Sequence, residues 1–172
     1  MKETKSCCGC FIYVKIGKII LIVLFISSTG LIGQTIQKID GDGIAALSSL
    51  SDDTTYVLNF WATWCSPCVK EIAIFEKLHQ DKTKPKVKVI LVSLDFINQL
   101  ESRVIPFLEE KGISAEVKII TDTDYNAWID RVDPSWTGAI PATLIYNKDH
   151  RVFLEKELSH NELLTQIQQI QH

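Results

Sequence analysis

From Ile19 to Gln37 the chain carries no charged residue, and Ile19–Ile26 is an unbroken apolar run preceded by lysines. Beyond it the pattern changes to short apolar stretches separated by polar turns. Tyr56–Ala62 and Lys86–Leu94 read as buried strands, the second with Val87, Val89, Ile90 and Val92 as a β-branched run. Between them Val69, Ile72, Phe75 and Leu78 recur at three-residue steps. That spacing predicts a helix over Cys65–His79, with Lys70, Glu76 and Lys77 on its wet side. A second helix is predicted over Leu100–Lys111, ended by Gly112, and a third strand over Val117–Ile120. Asn126–Val132 reads as a short helix, and Asp133–Gly138 as irregular. Ala142–Tyr146 and Arg151–Glu155 form a predicted hairpin about the turn Asn147–His150. Ser159 and Glu162 stand at capping-box spacing and open a last helix with Leu163, Leu164, Ile167 and Ile170 on one face. Gln34–Thr55 is a polar lead-in, with a short strand or helix near Ile44–Leu50.

Strands interleaved with helices, closed by a hairpin, predict an α/β domain with a mixed sheet flanked by helices. No linker or second core interrupts residues 34–172, so that span is expected to be one domain. Residues 1–33 combine a basic start with an apolar run, the layout of a secretory signal. Ser28-Thr29-Gly30 offers small residues at a cleavage edge, while Ile16–Gly33 is 18 residues with one charge, near the lower limit for a bilayer span. A cleaved signal peptide and a retained membrane anchor both stay open, beside a buried core helix. Either of the first two puts the body of the protein outside the cytoplasm. Cys7, Cys8 and Cys10 precede the apolar run and read as incidental thiols of this segment.

Charge narrows the partners. The 172 residues are 46% apolar and 23% charged, with a net charge of −3. This divides into +3 for residues 1–33 and −6 for the rest. Polyphosphate would meet an unfavourable field on the body, and no helix carries a basic stripe, so no nucleic-acid partner is expected.

The candidate chemistry sits in Trp64-Cys65-Ser66-Pro67-Cys68, where a predicted strand gives way to a predicted helix. Unpaired N–H groups and the helix dipole at that end favour a thiolate at Cys65, and a thiolate is the nucleophile of disulfide exchange. Pro67 suits an early helical position because it has no N–H to lose. Two cysteines at this spacing also serve as half of a zinc site, which needs four ligands. Residues 34–172 hold no other cysteine, and His79, His150, His160 and His172 are scattered. Ligand count therefore favours redox exchange, with no metal and no organic cofactor. A peroxidase of the peroxiredoxin type is a rival, but Ala62 stands where its pattern has threonine. A non-catalytic or copper-binding module using Cys65 and Cys68 is the other.

Asn59-Phe60-Trp61-Ala62-Thr63-Trp64-Cys65-Ser66-Pro67-Cys68, followed by Gly138-Ala139-Ile140-Pro141-Ala142-Thr143, resembles the thioredoxin superfamily. The likeness is greatest to the exported TlpA/ResA-type thiol–disulfide oxidoreductases. It implies a thioredoxin-like fold with an inserted β–α element, which Lys86–Ile120 can supply. It also implies a cis proline at Pro141, with Ile140 and Pro141 holding the substrate segment. Asn59 stands where cytosolic relatives have a buried aspartate. Glu71 matches an acidic position thought to tune the thiols, and a three-residue step puts it on the helix face of Cys68. A raised pKa there would let Glu71 relay a proton at Cys68. Ala73 departs from the family, whose members often have proline there. Trp64 reads as an exposed contact platform beside Cys65, Trp61 as packing, and Trp136 as either groove lining or plug. Asp95, Asp122 and Asp124 are accounted for by turn chemistry. The implied activity is reduction of disulfides in proteins or peptides, fed by a membrane thiol-transfer reductant, with cytochrome c maturation as one destination.

Overall fold

The computed structural model describes residues 15–16, 19–20, 36–84 and 86–171. Most of the segment expected to be a signal or anchor lies outside the described residues, as do Cys7, Cys8 and Cys10. Within it β1 (Lys15–Ile16) and β2 (Ile19–Ile20) pair antiparallel. Among the described residues no helix is long and apolar enough to cross a membrane. The chain divides into two units, Met1–Gly33 and Gln34–His172.

The larger unit runs β3 (Gln37–Ile39), α1 (Gly41–Leu47), β4 (Thr55–Trp61), α2 (Ser66–Gln80), β5 (Val87–Ser93), α3 (Ile105–Lys111), β6 (Glu116–Ile120), α4 (Ile129–Val132), β7 (Ala142–Tyr146), β8 (Arg151–Leu154) and α5 (His160–Ile170). Its six strands lie in the order β3-β6-β5-β4-β7-β8. The first four are mutually parallel, β7 runs antiparallel to β4, and β8 runs antiparallel to β7, so the sheet is mixed.

Every residue of β4 is buried, because helices cover both faces of the sheet. Its alternation sorts the core in two. Val57 and Trp61 pack with Ile72 and Phe75 of α2, Leu108 of α3 and Ile167 of α5. Leu58 and Phe60 face the other way, with Ile44 of α1 and Trp128 and Val132 beside α4. Trp136 plugs that second layer, its ring 4.5 Å from Phe60 and 5.7 Å from Trp128.

Several elements differ from the sequence pattern. The lead-in holds an edge strand, β3, and the stretch near Ile44 resolves as helix, capped where Asp40 accepts the Gly43 N–H. The helix expected over Leu100–Lys111 is regular only from Ile105. A 3-10 turn at Ile97–Gln99 and a π turn at Leu100–Val104 precede it, and Pro106, which has no N–H to donate, sits in its first turn. Gly112 ends it at φ +64°, where a side chain would be strained. Asn126–Val132 splits into a 3-10 turn at Tyr125–Ala127 and the short α4. Glu76 is not on a wet face. It is buried and accepts the backbone N–H groups of Ser114 and Ala115 and the Ser114 hydroxyl, tying α2 to the start of β6.

Candidate functional site

Cys65 is the N-cap of α2, in extended backbone, and Cys68 lies one turn along. Pro67 occupies the opening turn, where its missing N–H costs no helical bond. The two sulfurs are joined in a disulfide. Cys65 Sγ accepts the Cys68 N–H at 3.4 Å, so the helix start aims a backbone donor at the sulfur. Cys65 keeps 6% of its surface open, whereas Cys68 has none. Of the two, Cys65 is the one nearer the surface.

The facing wall is the loop before β7. The Ile140–Pro141 bond is cis, and Ile140 O lies 3.7 Å from Cys65 Sγ, within reach of a reduced thiol's S–H. Two side chains, Trp136 and Glu155, hold this loop. Trp136 Nε1 donates to Ala139 O at 2.9 Å. The Glu155 carboxylate accepts the N–H groups of Thr137 and Ala139, at 3.1 and 2.9 Å, and the Thr137 hydroxyl. Gly138 turns between them at φ +92°, a conformation that glycine supplies freely. Burial pushes the Glu155 carboxyl up, but the Thr137 and Ala139 donors outweigh it and hold it below the ordinary value.

The wall that carries Trp64 is fixed by another carboxylate. Asp95, buried at the end of β5, accepts the Thr63 N–H at 2.9 Å, the Thr63 hydroxyl at 2.5 Å and the Ser93 hydroxyl at 2.8 Å. Turn chemistry does not account for it; it holds the strand-to-helix loop two residues ahead of Cys65. Asp122 likewise reaches across the fold, accepting the Gly41 N–H at 2.8 Å.

Glu71 lies three residues beyond Cys68 on α2 and is only 2% exposed. Its Oε1 accepts from Asn59 Nδ2 at 2.9 Å, and its Oε2 accepts the Leu158 N–H at 2.7 Å. Burial raises its pKa to about 7 against the pull of those two donors, and the nearby charge of Glu157 adds to the rise. The Asn59 amide also donates to Thr143 Oγ1 at 3.2 Å, while Asn59 Oδ1 is buried with no hydrogen-bond partner among the described residues. Turning that amide over would present an acceptor to Glu71, so Asn59 can serve the ionised and the protonated carboxyl alike. An aspartate at 59 could not.

Trp64 is 58% exposed beside Cys65, and Trp61 is fully buried. Trp136 is both plug and lining: it packs in the core and also edges a groove of about 430 Å³ that includes Trp64 and Ile140. The structure thus brings Trp64, Cys65, Cys68, Ile140 and Pro141 together where α2 begins and β7 is about to start, while Glu71 sits three residues farther along α2, bonded to Asn59 and Leu158. Sequence reasoning missed Glu155 as a loop anchor and Asp95 as a buried one. Asp95 carried a faint signal, a carboxylate closing a β-branched strand; Glu155 carried none. Among the described residues no three His, Cys, Asp or Glu side chains converge as a metal site.

Comparison with known proteins agrees with this geometry. Residues 34–154 match the AhpC/TSA family. The chain is similar to the thioredoxin-like protein YneN of Bacillus subtilis, 33% identical over 87 residues, or 43% of this chain and 51% of that one. It is also similar to the thiol-disulfide oxidoreductase ResA of Halalkalibacterium halodurans, 31% identical over 91 residues, or 53% and 47% of the two chains. It therefore spans about half the length of these curated relatives. The fold is that of a thiol:disulfide interchange protein of the thioredoxin family from Chlorobium tepidum, with a TM-score of 0.58 at 20% identity, covering 80% of this chain and 92% of the other.

Proposed function

The chain belongs to the AhpC/TSA family, and on that footing we propose that it is an extracytoplasmic thiol–disulfide oxidoreductase that reduces disulfides in proteins or peptides. One observation carries the reading. Cys65 caps a helix, takes a backbone N–H on its sulfur, and keeps a little exposed surface where Cys68 has none. Those features lower a thiol's pKa and make it the attacking group.

In the reduced protein the Cys65 thiolate attacks one sulfur of the substrate disulfide. The substrate S–S bond breaks, its second sulfur leaves as a thiolate and takes a proton, and a mixed disulfide to Cys65 remains. Cys68 then loses its proton and attacks the Cys65 sulfur. The substrate sulfur held in the mixed disulfide leaves as thiolate, and the Cys65–Cys68 disulfide closes. Two electrons have passed from the dithiol to the substrate. Glu71, with a pKa of about 7, is suited to accept the Cys68 proton at neutral pH. Ile140 and Pro141 line the place where a substrate segment would lie, and Trp64 forms its other edge. A dithiol from a membrane thiol-transfer protein would restore the reduced state, and disulfide-bonded apocytochrome c is one substrate that this cycle would accept. The basic, apolar start of the chain supports an outward-facing location.

A peroxidase is disfavoured, since Ala62 is fully buried and offers only a methyl where that pattern has a hydroxyl.

The test is pH-dependent alkylation of the reduced protein, together with insulin disulfide reduction by Cys65→Ser and Cys68→Ser. The expected results are a Cys65 titration below the free-thiol value of about 8.5, no turnover in Cys65→Ser, and a trapped mixed disulfide in Cys68→Ser. Titration at the free-thiol value, or turnover in Cys65→Ser, refutes the reading. Potentials of such couples span about −270 to −120 mV, and a value near the upper end would make the protein an oxidant instead.

A further inference from the structure

Four large apolar side chains are exposed among the described residues, and two of them, Trp64 and Phe96 at 58% and 56%, line the groove of about 430 Å³ beside the disulfide. A third, Ile97, follows Phe96 directly in the chain. Solvent-facing aromatics gathered in one concavity mark a contact surface more often than a packing accident. The groove floor is Leu94, Ile129 and Trp136, and Tyr125 is anchored there through its hydroxyl to Leu94 O at 3.4 Å. Among the described residues its single charged lining residue is Asp124, which is exposed.

The groove is continuous with the reactive sulfur. Ile140 both lines it and places its carbonyl oxygen 3.7 Å from Cys65 Sγ. A polypeptide that brings a cysteine to Cys65 along the Ile140–Pro141 loop lies beside this concavity, so a neighbouring side chain can enter it. Phe96 and Tyr125 come from the stretches after β5 and β6, so the loops beyond the cysteine helix supply much of the lining.

We propose that this groove is a specificity subsite that seats a large apolar side chain, aromatic above all, next to the substrate cysteine, and that Asp124 disfavours an acidic residue there. The inference rests on the oxidoreductase reading and narrows its substrate class: cysteine-bearing segments with an aromatic neighbour. Shape and lining both fit that occupant. An apolar wall gains from burying a ring, whereas a carboxylate in the same place would lose hydration with no cation in the lining to meet it.

The experiment compares reduction rates of disulfide-linked peptides identical except for one residue beside the attacked cysteine, Phe, Ser or Glu. The reduced wild-type protein should act on the Phe peptide roughly tenfold faster than on the Ser peptide, with the Glu peptide slower still. The Phe-to-Ser rate ratio should collapse towards unity in Phe96→Ser and persist in Phe96→Leu, which restores apolar surface. Equal rates for the Phe and Ser peptides in wild type, or an unchanged ratio in Phe96→Ser, overturn this inference alone. No reaction with any peptide overturns the oxidoreductase reading and the inference with it. A second copy of the chain is the other possible occupant; sedimentation would then show a dimer that Phe96→Ser dissolves, and that result also overturns the inference.

Discussion

Replacing Glu71 by glutamine isolates the energetic cost of keeping a buried carboxylate three residues beyond Cys68 on α2. The side chain is 2% exposed and its pKa is raised from 4.5 to about 7, chiefly by burial. An acid whose folded pKa is raised holds a proton in the native state that the unfolded chain has already released. Its contribution to stability is therefore complete below the unfolded value and is lost as pH rises through the folded one. At about 1.36 kcal/mol per pKa unit, the rise from 4.5 to about 7 corresponds to about 3 kcal/mol. The glutamine of the variant stays neutral throughout. Its oxygen can accept the Leu158 N–H, and its amide can donate to Asn59 Oδ1 once the Asn59 amide turns over. Urea unfolding of the oxidised wild type and Glu71→Gln should be compared from about pH 4 to about pH 8. The stability difference between them should move in favour of Glu71→Gln by about 3 kcal/mol across that range, with most of the change between the two pKa values. Groups shared by both proteins cancel in the difference. A difference that stays flat with pH would show that Glu71 titrates as an ordinary surface carboxylate, and the proton relay would lose its basis.

Three further perturbations probe the frame around the thiols. Glu155→Gln should loosen the Thr137–Ala139 turn, seen as faster hydrogen exchange at the Ala139 amide and severalfold slower reduction of protein disulfides, with alkylation of Cys65 unchanged. Because the Glu155 carboxyl is held below its ordinary value, the wild-type turn should stay closed down through the usual carboxylate range and open only under more acid conditions, read by the same exchange. Asp95→Ala strips the acceptor from the Thr63 N–H and two hydroxyls, and should cost roughly 3 kcal/mol in urea unfolding; a cost near zero would mean that water replaces the carboxylate. Ser159→Ala breaks the capping box of α5, in which Ser159 accepts the Glu162 N–H and Glu162 accepts the Ser159 N–H, and should cost about 1 kcal/mol in the same assay.

What could be read from the chain follows the range of each interaction. Gly112 stopping α3, Ser159 opening α5 and Cys65 opening α2 are each decided within a turn of helix, so residue order displays them. Edge strand β3 is three residues long and exists because Lys38 pairs with Ile119, a partner that no local pattern announces. Pro106 was visible, but the 3-10 and π turns that accommodate it depend on packing Leu100 and Val104 into the core. Glu76 shows the same limit from the other side. Helical spacing assigned it to water, yet the start of β6 folds over it and supplies its donors.

The site divides along this line. The two cysteines and the helix start that holds them are encoded in four consecutive residues. The carboxylates around them are not. Glu71 reaches Leu158, Asp95 reaches Thr63, and Glu155 reaches Thr137 and Ala139, each joining segments distant in sequence by hydrogen bonds to backbone N–H groups. A backbone donor offers no sequence signature, since every residue but proline has one. Yet the Asp95 and Glu155 contacts hold the segments that carry Trp64 and Ile140 beside Cys65. Variation at 71, 95 and 155 should therefore alter substrate handling and proton transfer while the Cys65–Cys68 pair remains intact, so chains sharing these two cysteines need not share reactivity.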